Sequence, residues 1–256
     1  MKGKIEKYLH NEISIHGAAH LSLLDPLNTP LNELSNISTA IEKAGSSGIM
    51  VGGSTICDMT FLNLFVSTIK NCTLLPVILF PNNISGLTPE ADAIWFMSLL
   101  NSRNPYYITG AQMLAASTVN EFNLESLPLA YLIVGEGGAA GIVGDATPLP
   151  FDKPEIAASY ALAAKFLGMR FVYLEAGSGA KLSIPPNFVS VVRKTVQDVV
   201  LVVGGGIRNG VTASQIVKAG ADIVVTGTII ENEPNILENL SEVVDAIRRG
   251  ASLRGA

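Results

Sequence analysis

Short runs of apolar residues alternate with amphipathic segments along the whole chain, and most of the runs are continuous rather than alternating. Continuous runs are typical of parallel strands that are covered on both faces. The eight runs are Ile15–Asp25, Gly48–Ser54, Leu74–Pro81, Ala93–Asn101, Leu127–Glu136, Phe171–Ser178, Val199–Ile207 and Asp222–Glu231. Helix-like segments between them include Asp58–Asn71, Pro105–Phe122, Pro154–Gly168, Asn209–Gly220 and Ile236–Arg248. Eight strands interleaved with helices predict an α/β fold, and eight strands are the number that closes a (β/α)8 TIM barrel.

Two connections depart from this repeat. Only residues 82–92 separate the third and fourth predicted strands, which is shorter than the dozen or so residues that a helical crossover needs. We therefore expect the third outer helix to be missing or replaced. Gly137–Pro150, after the fifth strand, is rich in Gly and Pro and lies where barrels place their active-site loops, so it is either an ordinary mobile connection or a lid. No linker rich in Pro or Ser divides the chain, which predicts one domain over residues 1–256.

Composition narrows the class of protein. The chain has 256 residues, of which 48% are hydrophobic and 15% charged, and its formal net charge is −5. This composition excludes a disordered chain, and the lack of a basic run disfavours a nucleic-acid-binding protein. Two cysteines are too few for a disulfide framework and fit a reducing compartment. Prolines interrupt the uncharged stretch 71–89, and no apolar run follows the N-terminal lysines, so we expect a cytoplasmic protein that does not span a membrane.

Glycines mark the ends of the last two predicted strands, in VGGGI (203–207) and TGT (226–228). In TIM barrels the loops after strands seven and eight form a recurrent phosphate site. Glycine lets backbone N–H groups approach such an anion closely. Tight turns alone would also need glycine, but its occurrence at both strand ends favours a phosphate site.

Strand six carries a candidate catalytic carboxylate. Strand alternation places Tyr173, Glu175 and Gly177 on one face. A Glu in an apolar strand is costly to bury without a partner, so Glu175 is either a salt-bridged structural residue or a general base for a substrate hydroxyl. The following Ser178–Gly179 would extend the supply of N–H and hydroxyl donors toward the same phosphate.

The side chains of Asp25 and Ser54, at the carboxyl ends of the first two predicted strands, are hard oxygen ligands. Mg²⁺ typically takes one or two protein oxygens and completes its shell with water and phosphate oxygens. A helix cap at Asp25 and a turn at Ser54 are equally consistent with the spacing. The three histidines, His10, His16 and His20, have no ligand-like companions and are expected to be polar strand or surface residues.

Seven segments together resemble one known family, the geranylgeranylglyceryl phosphate synthases of the archaeal type. They are HLSLLDP (20–26), GGS (52–54), FPNN (80–83), NPYYITGAQ (104–112), YLEAGSG (173–179), VGGGIR (203–208) and TGT (226–228). They occur in order over almost the whole chain, and YLEAGSG and VGGGIR are highly specific. The resemblance implies a TIM barrel whose third helix is replaced. It also implies Mg²⁺-dependent transfer of a geranylgeranyl group from geranylgeranyl diphosphate to the 3-hydroxyl of sn-glycerol 1-phosphate, the first ether bond of archaeal membrane lipids.

The resemblance also assigns residues to roles. Asp25 and Ser54 match the Mg²⁺ site, and Glu175 matches the catalytic residue that orients or deprotonates the acceptor hydroxyl. The residues that match the glycerol phosphate site are Tyr173, Leu174, Glu175, Ala176, Gly177, Ser178, Gly179, Gly204, Gly205, Thr226 and Gly227. Some relatives carry a basic residue after the Asp-Pro pair, whereas this chain has Leu27-Asn28-Thr29, which leaves Lys181 and Arg208 as candidates to meet the diphosphate.

The sequence is also compatible with other functions. A sugar-phosphate isomerase could use Asp25 with Glu175 as its acid and base, while an aldolase is disfavoured because no apolar run contains a Lys for a Schiff base. A transferase of different prenyl chain length, such as a heptaprenylglyceryl phosphate synthase, and a non-catalytic barrel that binds phosphorylated ligands are further alternatives. The aromatic segments Ile94-Trp95-Phe96 and Tyr106-Tyr107 predict a surface for self-association, and hence a homo-oligomer.

Overall fold

Eight parallel strands form a closed barrel in chain order, with β8 pairing back onto β1. The computed structural model describes residues 2–53, 58–232 and 235–254. The strands are β1 (Ala19–Leu24), β2 (Gly48–Val51), β3 (Val77–Leu79), β4 (Ala93–Leu99), β5 (Glu125–Ile133), β6 (Phe171–Glu175), β7 (Val200–Gly204) and β8 (Ile223–Thr226). The predicted TIM barrel is confirmed, while the extent of residues 1–256 as one domain stays a prediction.

Helices surround the barrel, and five of them correspond to the five amphipathic segments that the sequence predicted. The helices are α1 (Lys4–His16), α2 (Leu34–Lys43), α3 (Met59–Cys72), α4 (Ala111–Glu121), α5 (Gly138–Val143), α6 (Pro154–Phe166), α7 (Pro186–Thr195), α8 (Gly210–Lys218), α9 (Thr228–Asn232) and α10 (Ile236–Ser252). A π-helical turn at Tyr106–Gly110 leads directly into α4. Two predicted strand limits are wrong, because apolar runs continue into helices: the first run begins within α1, and the eighth continues into α9.

The connection from β3 to β4 contains no helix. Residues 80–92 form only turns and extended chain, which confirms the prediction that the third outer helix is missing. The end of this connection is tied to its neighbours through Asp92. Its carboxylate accepts hydrogen bonds from the Val77 amide at 2.8 Å and from the Lys70 ammonium at 2.6 Å. The chain therefore returns to the barrel at a fixed point, and among the described helices only the flanking α3 and α4 pack on the outer side of β3 and β4.

Strand alternation divides the core into an inner and an outer layer. Inward side chains such as Leu21, Trp95 and Phe171 fill the barrel, and outward ones pack under the helices. Helix α1 closes the amino-terminal end of the barrel, where Leu9 joins the inner layer. Its buried Glu6 accepts two hydrogen bonds from the Arg170 guanidinium, at 2.6 and 2.7 Å. With this end closed, the opposite end of the barrel is the open one.

The predicted self-association surface is wrong in its residues. Ile94 and Trp95 are 3% and 1% exposed, because β4 runs through the middle of the fold. Phe96 and Tyr107 line the central cavity described below. Of the predicted residues, only Tyr106 is half-buried and outside the cavity lining, and a homo-oligomer stays a prediction.

Two further features bear on the sequence predictions. Gly137–Pro150, expected to be a loop, contains the short helix α5. None of the helices in the described residues combines the length and the apolarity that a bilayer crossing requires.

Candidate active site

One cavity opens at the carboxyl ends of the barrel strands, the end at which TIM barrels place their active sites. Its two ends differ in chemistry. One end is lined by glycines and polar groups that follow β6, β7 and β8 and by Asp25 after β1. The other is an apolar arm that extends past β4 toward α4. Among the described residues that line the cavity, none is Lys, Arg or His.

Glu175 is the buried carboxylate of the polar end. It is 6% exposed at the last position of β6 and lines the cavity together with Tyr173, as strand alternation predicted. The Gly177 amide donates to Glu175 Oε1 at 2.6 Å, and the Tyr173 hydroxyl donates to the same carboxylate. No cationic side chain forms an ion pair with Glu175 in the described part of the chain. The alternative of a salt-bridged structural Glu is therefore not what the structure shows.

Burial sets the acidity of this carboxylate. Loss of solvent raises the pKa of Glu175 above its ordinary value, while the hydrogen bonds from the Gly177 amide and the Tyr173 hydroxyl act in the opposite direction. Burial and the neighbouring Glu175 carboxylate raise the pKa of Tyr173 and Tyr131, so both phenols keep their protons. A carboxyl group with a raised pKa in a cleft has the properties of a general base.

Backbone amides of three neighbouring strand ends surround the same part of the cavity. Glu175, Gly204 and Val225 stand at one level of the barrel, so the residues that follow them meet at one rim. Five amides at this rim donate to no acceptor in the described part of the chain: those of Ser178, Gly179, Gly205, Gly206 and Gly227. Unpaired amides at converging strand ends form an anion site without a cationic side chain. These five amides are therefore available to donate to an anion, and the phosphate site itself stays a prediction.

Gly205 is the point of closest approach in this group. Its φ is +84°, and a Cβ at this position would lie 2.6 Å from Glu175 Oε1 and 2.7 Å from the Gly177 nitrogen. Any side chain here would therefore collide with the carboxylate and with the β6 turn, besides being strained by the left-handed backbone. The glycine keeps the space between the carboxylate and the free amides open.

Not all predicted ligand-site residues reach the cavity. Leu174 and Ala176 point to the outer layer and pack under the helices, because they alternate with Tyr173 and Glu175. The Ala176 amide is also bonded to the Gly204 carbonyl, at 3.1 Å. Neither side chain contributes to the site, which corrects that part of the prediction.

Gly177 and Gly204 do not line the cavity but pack against residues that do. A Cβ at Gly177 would lie 2.7 Å from the Gly138 nitrogen, and one at Gly204 would lie 2.2 Å from the Tyr173 hydroxyl oxygen. These two glycines therefore let α5 and the Tyr173 ring pack closely against the strand ends. Their role is to shape the cavity, and neither is a direct part of its wall.

Thr226 and Gly227 both line the cavity, but they contribute different groups. Thr226 faces outward from the barrel, where its hydroxyl is bonded to His20 at 2.9 Å. Only the backbone of Thr226 is left for the cavity, whereas the free amide of Gly227 belongs to the anion site.

Asp25 is the carboxylate of the predicted metal site. It lines the cavity, and a Cβ at Gly53 would lie 2.3 Å from Asp25 Oδ2, so the carboxylate packs directly on the β2 end. The Leu27 amide donates to Oδ1 at 3.0 Å. Ser54 lies outside the described residues. No cluster of three or more His, Cys, Asp or Glu side chains suited to a metal occurs in the described ranges.

The two candidate basic residues do not enter the cavity. Arg208 is exposed, and its guanidinium donates to the carbonyl oxygens of Gly179 and Lys181, at 3.0 and 3.3 Å. Lys181 is exposed as well. Arg208 thus fixes the turn after β6, and the expectation that either side chain meets an anion in the cavity finds no support in this geometry.

The apolar arm contains residues to which the sequence assigned no role in binding a substrate. Phe80, Ile84 and Leu87 come from the helix-free connection, and Phe96, Met97, Tyr107, Ala111 and Ala115 come from β4, the π-helical turn and α4. Phe80, Tyr131 and Tyr173 stand at the junction of the two ends, with ring centroids 5.3–5.7 Å apart. The apolar alternation of β5 could have identified Tyr131 as inward-facing, whereas the lining by Ile84 and Leu87 follows from tertiary structure alone.

Helix α5 covers one side of the opening through Ala140, Val143 and Gly144. The residues that follow β4 form hydrogen bonds with the end of α5 and the chain after it. Asn101 donates to the Thr147 carbonyl at 2.8 Å, and Ser102 donates to the Gly144 carbonyl at 2.6 Å. A lid role for this segment stays a prediction.

A TIM barrel with an amide-lined anion site and a buried carboxylate defines the class of phosphate-binding barrel enzymes. Within that class the chain belongs to the PcrB family, whose model matches residues 12–248. Geranylgeranylglyceryl phosphate synthase of Thermofilum pendens is 49% identical over 251 residues, which cover 98% of this chain and 98% of that protein. The enzyme of the same name from Pyrococcus abyssi is 50% identical over 97% of this chain and 98% of its own length.

A solved structure agrees with this assignment. The crystal structure of (S)-3-O-geranylgeranylglyceryl phosphate synthase from Thermoplasma acidophilum, in complex with its substrate sn-glycerol-1-phosphate, is 41% identical. It superposes with a TM-score of 0.92 and covers 97% of this chain and 100% of its own.

The proposed anion site is tested by adding one methyl group at Gly205. Gly205→Ala should weaken the binding of sn-glycerol-1-phosphate, used here as the probe, by about tenfold or more. The new Cβ meets the Glu175 carboxylate and displaces donors to a charged group, each worth roughly 1.5–3 kcal/mol. Calorimetric titration measures the dissociation constant.

Gly168→Ala is the matched control. Gly168 has nearly the same backbone conformation, with φ +82°, but has nothing within 4 Å of a Cβ and lies at the opposite end of the barrel. It should lose stability without losing affinity. Unchanged affinity in a folded Gly205→Ala protein would remove Gly205 from the anion site.

Proposed function

We propose that this protein is a geranylgeranylglyceryl phosphate synthase, which transfers a geranylgeranyl group from geranylgeranyl diphosphate to the 3-hydroxyl of sn-glycerol 1-phosphate. The observation that supports it most strongly is the two-ended cavity. Free amides and one buried carboxylate form a polar end, and an apolar arm leads away from it through the opening left by the missing helix. The acceptor is small and anionic and the donor is long and apolar, so the two ends fit the two substrates.

The polar end suits the acceptor. The phosphate would accept hydrogen bonds from the amides of Gly205, Gly206 and Gly227 and from the Ser178–Gly179 turn. Glu175 faces the same space and would accept a hydrogen bond from the 3-hydroxyl. Holding the hydroxyl against a carboxylate in a fixed direction aligns its oxygen for attack and avoids reorganisation during the reaction.

The apolar arm suits the prenyl chain. Its walls come from the connection 80–92, from β4 and from α4, and they are mainly hydrocarbon and aromatic, with the amide side chains of Asn82, Asn83 and Gln112 among them. Burying a prenyl chain there is favourable by about 25 cal/mol for each Å² of apolar surface removed from water. The junction of Phe80, Tyr131 and Tyr173 would then lie beside the allylic carbon, next to Glu175.

Glu175 would complete the reaction by taking a proton. The acceptor oxygen forms a bond to C1 of the prenyl group, the bond from C1 to the diphosphate breaks, and the hydroxyl proton passes to the Glu175 carboxylate. The raised pKa of Glu175 suits this step, since it makes the carboxylate a stronger base than an exposed one.

Mg²⁺ is proposed as the cofactor, with Asp25 as its carboxylate ligand and Ser54 as a second oxygen donor. The donor chemistry fits: Asp25 lines the cavity, and no described lining residue carries a positive charge that would compete for it or neutralise a diphosphate. Mg²⁺ commonly binds through one or two protein oxygens together with phosphate oxygens. When bound there, it would neutralise charge on the departing diphosphate.

Two further expectations stay predictions. A cytoplasmic location depends on the low cysteine count, and a homo-oligomer needs a surface other than the buried segments first considered.

A product assay tests the proposed function. Prenyl diphosphates of about 15, 20 and 35 carbons are each offered with sn-glycerol 1-phosphate and with its enantiomer, in the presence of Mg²⁺. We expect the C20 donor and the sn-1 acceptor to give the fastest ether formation. Faster turnover of the C35 donor would replace the geranylgeranyl assignment, and no product with any pair would overturn the proposed function.

The role of Glu175 is tested by Glu175→Gln, which keeps the shape of the side chain but cannot take a proton. The turnover number should fall by about 10²–10⁴, the usual contribution of a general base. In the parent protein, activity should increase as pH rises through the raised pKa of Glu175, because the carboxylate must be ionised to accept the proton. The variant should lack this limb of the pH profile.

Glu136→Gln supplies the control for this change. Glu136 is an exposed carboxylate just beyond β5 and lies outside the cavity lining, so its loss should leave turnover and the pH profile unchanged. If Glu175→Gln retained full turnover, the hydroxyl would be activated by another group.

The metal assignment is tested by Asp25→Asn. We expect the Mg²⁺ concentration for half-maximal activity to rise by roughly 10–100-fold or more, since loss of even an outer-shell partner costs that much. Binding of sn-glycerol 1-phosphate should persist, because its amide donors are on other strands. Asp152→Asn, at an exposed carboxylate, should change neither quantity. Loss of acceptor binding with unchanged Mg²⁺ dependence would assign Asp25 to the acceptor instead.

A further inference from the structure

A buried series of hydrogen-bonded polar side chains lies on the outer face of the barrel between β1 and β8. His20 is 1% exposed, and both of its ring nitrogens have partners. Nδ1 is 2.8 Å from Ser46 Oγ, and Nε2 is 2.9 Å from Thr226 Oγ1. Ser46 continues the series to Ser22, with 3.1 Å between the hydroxyl oxygens. His20 therefore joins the turn before β2 to the last residue of β8.

The register of the strands places these hydrogen-bonded side chains outside the barrel. His20 pairs with Val224 and Ser22 with Thr226, whereas Leu21 and Val225, between them, belong to the inner layer. The Thr226 hydroxyl thus faces away from the cavity, and His20 cannot contact a ligand there. Any effect of His20 on the site has to act through the position of the Thr226 backbone.

The end of β8 has few other attachments. Pairing between β7 and β8 stops at Val225, so Thr226 is paired only with β1. The next residue, Gly227, carries one of the free amides of the anion site, and Thr228 already begins α9. A hydrogen bond to the Thr226 side chain is a second attachment at the point where the chain leaves the sheet for the site.

The His20 ring suits a fixed attachment. Burial lowers its pKa to about 3, so the imidazole stays neutral and brings no charge into the outer layer. Hydroxyl groups donate or accept, so the bonds to Ser46 and Thr226 form with either tautomer of the ring. Without His20, the Thr226 hydroxyl would be left buried without a partner in the described part of the chain, while the Ser46 hydroxyl would keep its bond to Ser22.

We infer that His20 is a positioning residue for the anion site, which holds Thr226 and thereby fixes the amide of Gly227 toward the acceptor phosphate. This inference rests on the proposed function, since it concerns the site of sn-glycerol 1-phosphate. It assigns a role to a histidine that touches no substrate.

The test measures the dissociation constant for sn-glycerol 1-phosphate in a double-mutant cycle of His20→Phe and Thr226→Val. Each single change breaks the bond, and each should weaken binding by about tenfold, as expected for one displaced hydrogen-bond donor. The double variant should bind no worse than about either single variant, because both changes remove the same attachment. Thr226→Ser keeps the hydroxyl and should bind within about twofold of the parent protein.

A merely structural role is separated by two further readouts. Ser22→Ala removes the neighbouring bond to Ser46 but keeps the bond between His20 and Thr226, so it should lower the melting temperature and leave acceptor affinity unchanged. Affinity for geranylgeranyl diphosphate should stay unchanged in the His20 and Thr226 variants. Full acceptor affinity in Thr226→Val, additive losses in the double variant, or an equal loss in Ser22→Ala would each overturn the inference.

The same experiment distinguishes this inference from the proposed function. If the parent protein does not bind sn-glycerol 1-phosphate, the proposed function fails, and the inference fails with it. If the parent binds and Thr226→Val binds equally well, only the inference fails. Should His20→Phe not fold, the comparison of Thr226→Val with Thr226→Ser decides the question alone.

Discussion

The free amides at the ends of β6, β7 and β8 are the constraint on which the rest of the site depends. A closed barrel fixes these strand ends relative to one another, so the N–H groups converge without a flexible side chain. Such an arrangement binds an anion at little cost in ordering, but it requires glycine wherever a Cβ would fill the space, as at Gly205. Side chains, including cationic ones, are therefore excluded from the space around these amides.

The lack of cationic side chains in the described lining affects the remaining chemistry. On the proposed function, amide dipoles would match the charge of the acceptor phosphate, whereas a diphosphate carries more charge than these amides alone would meet. A metal ion at Asp25 is the proposed source of the missing positive charge. The same surroundings keep Glu175 without a cationic partner, so burial raises its pKa and makes it a stronger base. One feature, an anion site made of backbone, thus accounts for the proposed metal and for the basicity of the carboxylate.

The missing third helix supplies the second half of the site. A complete TIM barrel would cover β3 and β4 with a helix, whereas here the connection 80–92 and α4 leave an apolar arm between them. The arm reaches the polar end where Phe80, Tyr131 and Tyr173 meet. Two substrates of opposite character would then meet at Glu175, the place where a bond between them has to form.

The sequence predicted the barrel, the missing helix, and the positions of Tyr173, Glu175 and Gly205 at the cavity, because strand period and strand ends are local properties. It failed where tertiary structure decides. Leu174 and Ala176 are assigned to the site by the resemblance but lie on the outer layer, and the burial of Ile94 and Trp95 depends on elements that are distant in the sequence. Arg208 is bonded to the 179–181 turn, and the attachment of Thr226 to His20 joins residues 206 positions apart. No sequence pattern indicates contacts of that kind.

The central claim is that backbone amides, rather than cationic side chains, bind the acceptor phosphate. Titration of isotope-labelled protein with sn-glycerol 1-phosphate, followed by the NMR signals of its backbone amides and arginine side chains, tests it most directly. The account predicts the largest shifts at the amides of Gly205, Gly206, Gly227, Ser178 and Gly179, with the Arg208 side chain little changed. Unchanged signals at these five amides, together with a strong response of arginine side chains, would contradict it.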